Sequence, residues 1–237
     1  MKHNKILYGF LVASLFTGCM GGSNNLLGYR YNAPTTTTTS SSSVKKSLAF
    51  MYEEERLAKE VYLSIYKKQP VSQLYRIATN SETRHISAVE SLARKYGVAL
   101  SPQRVGRYRN SHIQSLYNTL YKKGIRSTKD ALQVGCMVEV TDINDLNKYI
   151  YQAQRAGASD VVQTYEFLRR GSYNHYWAFD RGLKNIGVSS GCCSLGSKYC
   201  HNEYPQNQRG KGRGRGYGRG FGHGRGHEGG FGGGPWR

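Results

Sequence analysis

Five residues in this chain have types and spacings that suit metal chemistry: Glu54, the pair Glu82 and His85, Glu139, and His175. Each falls on a helical register with apolar neighbours three, four or seven positions away. Glu54 lies four after Phe50 and just before Leu57 and Ala58. Glu82 and His85 follow Ala78 by four and seven, Glu139 follows Gly135 and precedes Ile143 by four, and His175 follows Leu168 by seven. A helical seam that faces a core should be apolar, because a buried charge is costly unless it is paired or bound to metal. Carboxylates and imidazoles converging from four helices are the donor set of a di-iron or di-manganese carboxylate site, in which bridging carboxylates balance two divalent charges and histidines terminate each metal.

The full pattern for such a site is Glu then Glu-x-x-His, repeated on a second helix pair. This chain reads Glu54, then Glu82-x-x-His85, then Glu139, then Ser172-x-x-His175, so Ser172 stands where a fourth carboxylate is expected. Asp142, Glu166 or water are candidates to fill that gap, with Asp142 one turn from Glu139. A mononuclear iron, manganese or zinc site on Glu82, His85, Glu139 and His175 is the competing arrangement. Iron or manganese suits the oxygen-rich donor set better than zinc. A plainer alternative places Glu54 in a solvated run, Glu53-Glu54-Glu55, paired with Arg56 or Lys59.

The elements that must carry these residues are helical. Apolar periodicity of three and four begins near Lys45 and continues to about Gly187. It predicts long helices over 44–67, 71–96, 128–157 and 159–187. Ser127 or Thr128 is expected to cap the third and Ser159 the fourth. A loop over 98–110 and a short helix over 112–122 lie between the second and third. Strand signal is nearly absent, and the expected fold is an all-α, ferritin-like antiparallel four-helix bundle with one short extra helix.

Three segments carry a family resemblance: Tyr-Glu-Glu-Glu-Arg-Leu-Ala at 52–58, Ile-Ala-Thr-Asn-Ser-Glu-Thr-Arg-His at 77–85, and Tyr-Glu-Phe-Leu-Arg-Arg-Gly-Ser-Tyr-Asn-His at 165–175. They resemble the DUF2202 family, a ferritin-like group of unassigned activity, over roughly residues 47–187. The resemblance implies that Ser172 is the family's habit and that the site is an altered di-metal site. Val140 stands where the family commonly has a second acid.

The flanks read differently. Lys2, Lys5, the apolar run 6–13 and Leu15-Phe16-Thr17-Gly18-Cys19 form a signal peptide over 1–19, with Cys19 as the lipidated residue of a lipoprotein. The chain is therefore expected to be exported and anchored to a membrane of the bacterial cell envelope. Residues 20–44 are rich in Ser and Thr and read as a disordered linker, 45–188 as the bundle, and 189–208 as a connector holding Cys192, Cys193 and Cys200. Residues 209–237 form a disordered basic tail of Gly and Arg. Export permits disulfides. Pairing of Cys192 or Cys193 with Cys200, or a zinc knuckle with His201, fits the connector, while Cys136 reads as a small buried hydrophobe. The net charge of +19 implies an anionic partner. For the tail we expect an anionic polymer or lipid; export argues against nucleic acid. A tethered chain with long tails suits a dimer better than a closed shell. The reading from a different class is a non-catalytic surface scaffold whose tail does the binding.

Overall fold

The computed structural model describes residues 36–206. Its elements are α1 (Thr36–Tyr66), α2 (Ser72–Arg76), a π-helical segment (Ile77–Glu82), α3 (Thr83–Lys95), α4 (Ser111–Gly124), α5 (Thr128–Arg155) and α6 (Ser159–Asn185). Two 3-10 turns follow, Gly191–Leu195 and Ser197–Tyr199. Among the described residues there is no strand, only an isolated bridge between Arg104 and Arg107. The all-α bundle expected from periodicity is the fold observed. The segments α2, π and α3 follow one another without a break, so four long rods are present, and α4 is the short extra helix.

Two apolar clusters fill the bundle, one on each side of a polar layer. The first gathers Leu57, Val61, Ile65, Leu74, Ala78, Ile113, Leu132, Val138, Phe179 and Leu183. The second gathers Leu48, Met51, Val89, Leu92, Leu146, Ile150, Val161 and Leu168. Burial of apolar surface contributes roughly 25 cal/mol per Å², so these clusters carry the fold and the layer between them must be compensated separately.

The π segment marks where the second rod departs from a regular helix. The Thr83 hydroxyl donates to the carbonyl of Ala78, five residues back, at 3.2 Å, and the Thr79 hydroxyl donates to Tyr75 at 2.8 Å. Side-chain bonds of this kind compete with the regular ladder and support a wider turn.

Several boundaries differ from the sequence reading. Helix α1 begins at Thr36, so the expected linker 20–44 gives up its last residues to the helix. Buried Val44 and Leu48 anchor that end, and extending an existing helix costs far less than starting one. Ser127 does cap α5, accepting from the Asp130 amide at 3.0 Å. Ser159 does not cap α6; the cap position is Ala158, and Asp160 accepts from the next amide, Val161, at 2.9 Å. The run Glu53-Glu54-Glu55-Arg56 is not solvated, since each member is at most 3 % exposed. Helix α1 is surrounded there by α3, α4 and α5, so no face of it reaches solvent.

The connector is part of the folded unit. Cys136 on α5 pairs with Cys192, and Cys193 pairs with Cys200. This corrects the reading of Cys136 as a simple hydrophobe and removes the zinc knuckle, whose sulfurs are all used. The signal is weak in sequence because Cys136 lies far from the other three. Trp177 Nε1 donates to the Tyr204 carbonyl at 3.2 Å, closing the connector onto α6. The signal peptide with Cys19 and the tail 209–237 lie outside the described residues. Among those described, no helix is long and apolar enough to cross a membrane.

The Cys136–Cys192 bridge spans a separation of 56 residues, against 7 for Cys193–Cys200. Replacing Cys136 and Cys192 by Ser is expected to cost about 2–4 kcal/mol, because the longer loop removes more entropy from the unfolded chain. The Cys193→Ser/Cys200→Ser variant is expected to lose less. Urea unfolding followed by far-UV circular dichroism measures both, and equal losses would contradict the loop-length argument.

Candidate metal centre

The polar layer draws residues from every rod. Helix α1 supplies Glu54, Glu55 and Tyr62, the π segment ends on Glu82, and α3 supplies His85. Helix α5 supplies Glu139 and Asp142, and α6 supplies Ser172 and His175; all are 7 % exposed or less. Two groups within this layer have ligand atoms close enough to hold a metal ion: Glu55, Glu82 and His85, and Glu82, Glu139 and His175. Glu82 belongs to both.

The distances define its role. His85 Nδ1 hydrogen-bonds Glu55 Oε2 at 3.1 Å and lies 3.1 Å from Glu82 Oε2. His175 Nδ1 hydrogen-bonds Glu139 Oε2 at 3.3 Å and lies 3.0 Å from Glu82 Oε1. Each imidazole nitrogen thus faces two carboxylates while carrying at most one proton. The two oxygens of Glu82 point to different histidines, whose ring centroids are 5.6 Å apart. Beside this pair, Tyr62 donates to Glu139 Oε1 at 2.6 Å.

Four of the five predicted residues, Glu82, His85, Glu139 and His175, come together as expected. Glu54 is buried in the same layer but joins neither group; Glu55 takes the place beside His85. Apolar phase could not separate the two, because α1 is enclosed on all sides at this level. The signal that could have found Glu55 is pairing with the Glu82-x-x-His85 face, which needs the third dimension. Ser172 donates to Asp142 Oδ2, so the residue at the fourth-carboxylate position supports an acid from the neighbouring helix. Asp142 is buried in the layer but, like Glu54, joins neither group. Glu166 is half-buried and joins neither group.

The electrostatics follow from burial. Loss of solvent raises Glu55 to about 7 even though His85 opposes the shift. Burial, reinforced by neighbouring acids, holds Glu54 and Asp142 well above the carboxylate range. Glu82 is the exception: burial opposes its charge, but His175 and His85 outweigh it and hold it well below the ordinary value. Burial also opposes charge on His175, yet Glu139 and Glu82 lift it to about 10. Both oxygens of Glu54, Oε1 of Glu55 and Oδ1 of Asp142 have no hydrogen-bond partner in the protein. Five carboxylates against two imidazoles leave an acidic excess that divalent cations would balance, so the donor set fits a metal.

Close backbone approach sets the geometry. A Cβ on Gly171 of α6 would meet His85 Nε2 at 2.5 Å, and one on Gly135 of α5 would meet the Phe179 ring at 2.3 Å. Phe179 packs on Tyr62, with centroids 5.4 Å apart, and Tyr62 holds Glu139. One glycine therefore seats a histidine, and the other seats the tyrosine that orients a carboxylate.

Gly171→Ala is expected to keep its helical spectrum but to lose about 1–3 kcal/mol through overpacking, with His85 displaced from Glu55. Urea unfolding and the His85 ring resonances in NMR read the two effects. A second outcome concerns pH in the metal-free chain. The folded pKa of Glu55, about 7, lies above its unfolded value, so folding takes up a proton between them. The contribution is full below about 4.5 and is lost as pH rises to about 7. Glu55→Gln is expected to flatten the fall in stability over that window, measured by denaturation in chelator; an unchanged slope would remove Glu55 as its source.

Comparison with known proteins converges on one group. The family model described as "Uncharacterized protein domain (DUF2202)" matches residues 44–201. The "Uncharacterized protein MJ0754" of Methanocaldococcus jannaschii is 39% identical over 145 residues, covering 60% of this chain and 76% of the relative. A crystal structure of the hypothetical protein MJ0754 superposes with a TM-score of 0.57 at 39% identity, over 60% of this chain and 81% of that one. The match spans every residue of the polar layer, and the chain belongs to the DUF2202 family.

Proposed function

We propose that this protein is a ferritin-like metal-binding protein of the cell envelope with a dinuclear iron or manganese centre. Glu55, Glu82 and His85 would hold one metal, and Glu82, Glu139 and His175 would hold the other, with Glu82 common to both sets. The observation that carries this reading is the shared use of Glu82, whose two oxygens lie 3.1 and 3.0 Å from the two histidines. A mononuclear site would leave one of the two groups without purpose. When bound, such metals supply electron exchange with O₂ or peroxide at coordination positions the protein leaves open.

The chain's own residues account for the rest. Glu55 and Glu139 cap the two ends of the layer. Tyr62 fixes the orientation of Glu139 by donating to it, which is the outer support that metal ligands generally require. Ser172 fixes Asp142 in the same way, leaving Asp142 Oδ1 directed away from that bond. The apolar clusters on either side keep bulk water from the layer and strengthen every charge interaction within it. For the flanks we propose a membrane anchor through Cys19 and contact of the tail 209–237 with anionic lipid or polymer, on the strength of the basic charge.

Elemental analysis of the full chain, produced without a histidine tag and loaded anaerobically with Fe²⁺ or Mn²⁺, tests the reading. About two metals per chain are expected. Glu82→Ala should lose both, since each group uses it, whereas His85→Ala should lose one and keep the other. One metal in the unaltered chain would favour the mononuclear arrangement. None would leave the scaffold reading, with the basic tail as the binding element.

A further inference from the structure

Three acids beyond the two groups lie together on the α1–α5 side of the centre. Glu54 on α1 is 2 % exposed, and neither of its oxygens has a hydrogen-bond partner. Asp142 on α5 is 5 % exposed, with one oxygen held by Ser172 and the other unpartnered. Asp145, one turn further along α5, has a side chain 23% exposed, in a long contact of 4.0 Å with Lys148 and in hydrogen-bonding reach of Glu54. The three are arranged in depth. Asp145 and Asp142 both act on Glu54, and Asp142 is in turn under the influence of Glu55, Glu139 and Glu82. At the outer end, His112 at the start of α4 is exposed and near enough to Asp145 to act on its charge.

Neither apolar cluster offers a cation passage into the layer, since an ion stripped of water pays several kcal/mol in such surroundings. A series of carboxylates replaces hydration one ligand at a time and concentrates cations at its mouth. Glu54 is the informative member. Its neighbours in the same run have donors: Glu53 takes the amides of Arg109 and Asn110 at 2.9 and 2.7 Å, and Glu55 has one oxygen on His85. Glu54 alone is buried with no amide, imidazole or basic group on either oxygen, and the acids that act on it most strongly are Asp142 and Asp145.

We propose that Asp145, Glu54 and Asp142 form the path by which a divalent cation is loaded into the centre, with Asp145 as the capture ligand and Glu54 as the transfer ligand. This rests on the metal-centre reading above. Oxygen-only ligation suits hard cations such as Mn²⁺ and Fe²⁺ over soft ones. The step is ligand exchange, so no covalent bond forms or breaks and no electron moves. A transfer ligand governs the rate of filling but not the final occupancy, which separates Glu54 from the resident ligands.

The test is uptake of Mn²⁺ by the full chain after chelator treatment, followed over time by loss of the free-ion EPR signal, with final Mn per chain from elemental analysis. Glu54→Gln is expected to slow uptake by about tenfold or more, in line with the range of electrostatic guidance, with unchanged final Mn. Asp145→Asn, at a partly exposed position that tolerates the change, should slow it less and also reach full occupancy. Uptake at the unaltered rate in both variants would overturn the path. Reduced final Mn in Glu54→Gln at an unaltered rate would overturn it too, making Glu54 a resident ligand. An unaltered chain that takes up no Mn²⁺ would instead overturn the metal-centre reading itself, and the path with it.

Discussion

The structure depends on the burial of five carboxylates in one layer of a helical bundle, with only two imidazoles to answer them. Ionised acids in such a place repel one another and lack solvent, and a bundle held by apolar contact alone has no reason to accept them. Glu82 is the residue on which the arrangement turns. It is the one acid in the layer whose ionised form the protein favours, because both histidines lie against it, and it joins the two halves of the layer through its two oxygens. Burial shifts the remaining acids toward their protonated forms. Cation binding favours the ionised forms instead, which ties the stability of the fold to both metal and pH.

The surrounding elements make sense as devices that aim side chains into this layer. The π segment ends on Glu82 and widens the second rod just before it, so Glu82 and His85 are presented where a regular helix would have offset them. Gly171 lets the backbone of α6 approach the His85 ring, and Gly135 admits Phe179, on which Tyr62 rests. The Cys136–Cys192 bridge fastens α5 one turn before Glu139 to the segment that follows α6. These features lie on four different elements and meet at the same layer, a concentration that bundle stability alone does not call for.

Much of this was legible in the chain. The 3.6-residue period located the rods, and acids and imidazoles placed three, four or seven positions from apolar residues located Glu82, His85, Glu139 and His175. On helix α1 three acids in a row blur that signal. From Met51 to Ala58 every side chain is buried, so phase could not tell Glu54 from Glu55 or either from Glu53. The π segment was illegible for a related reason, since an extra residue in one turn shifts the register without altering composition. The pairing of Cys136 with Cys192 depends on where α6 delivers the connector, and local sequence does not carry that.

The acidic run on α1 shows how the chain separates two uses of the same residue type. Glu53 and Glu60 flank the centre and are satisfied by the loop 98–110. Glu53 takes the amides of Arg109 and Asn110, and Glu60 takes the Gly106 amide, the Tyr108 hydroxyl and Arg56. Arg56 in turn donates to the carbonyls of Pro102 and Arg104 at 3.4 and 3.0 Å, so the loop is bound through its own backbone to one helix. These acids need no cation, because amide donors and a guanidinium already answer them. Glu54 and Glu55 are equally buried on the same two turns, yet no backbone donor reaches them. A fold able to supply amide donors to Glu53 and Glu60 withholds them from the two acids between, and that selectivity, more than acidity itself, separates ligands in waiting from structural carboxylates.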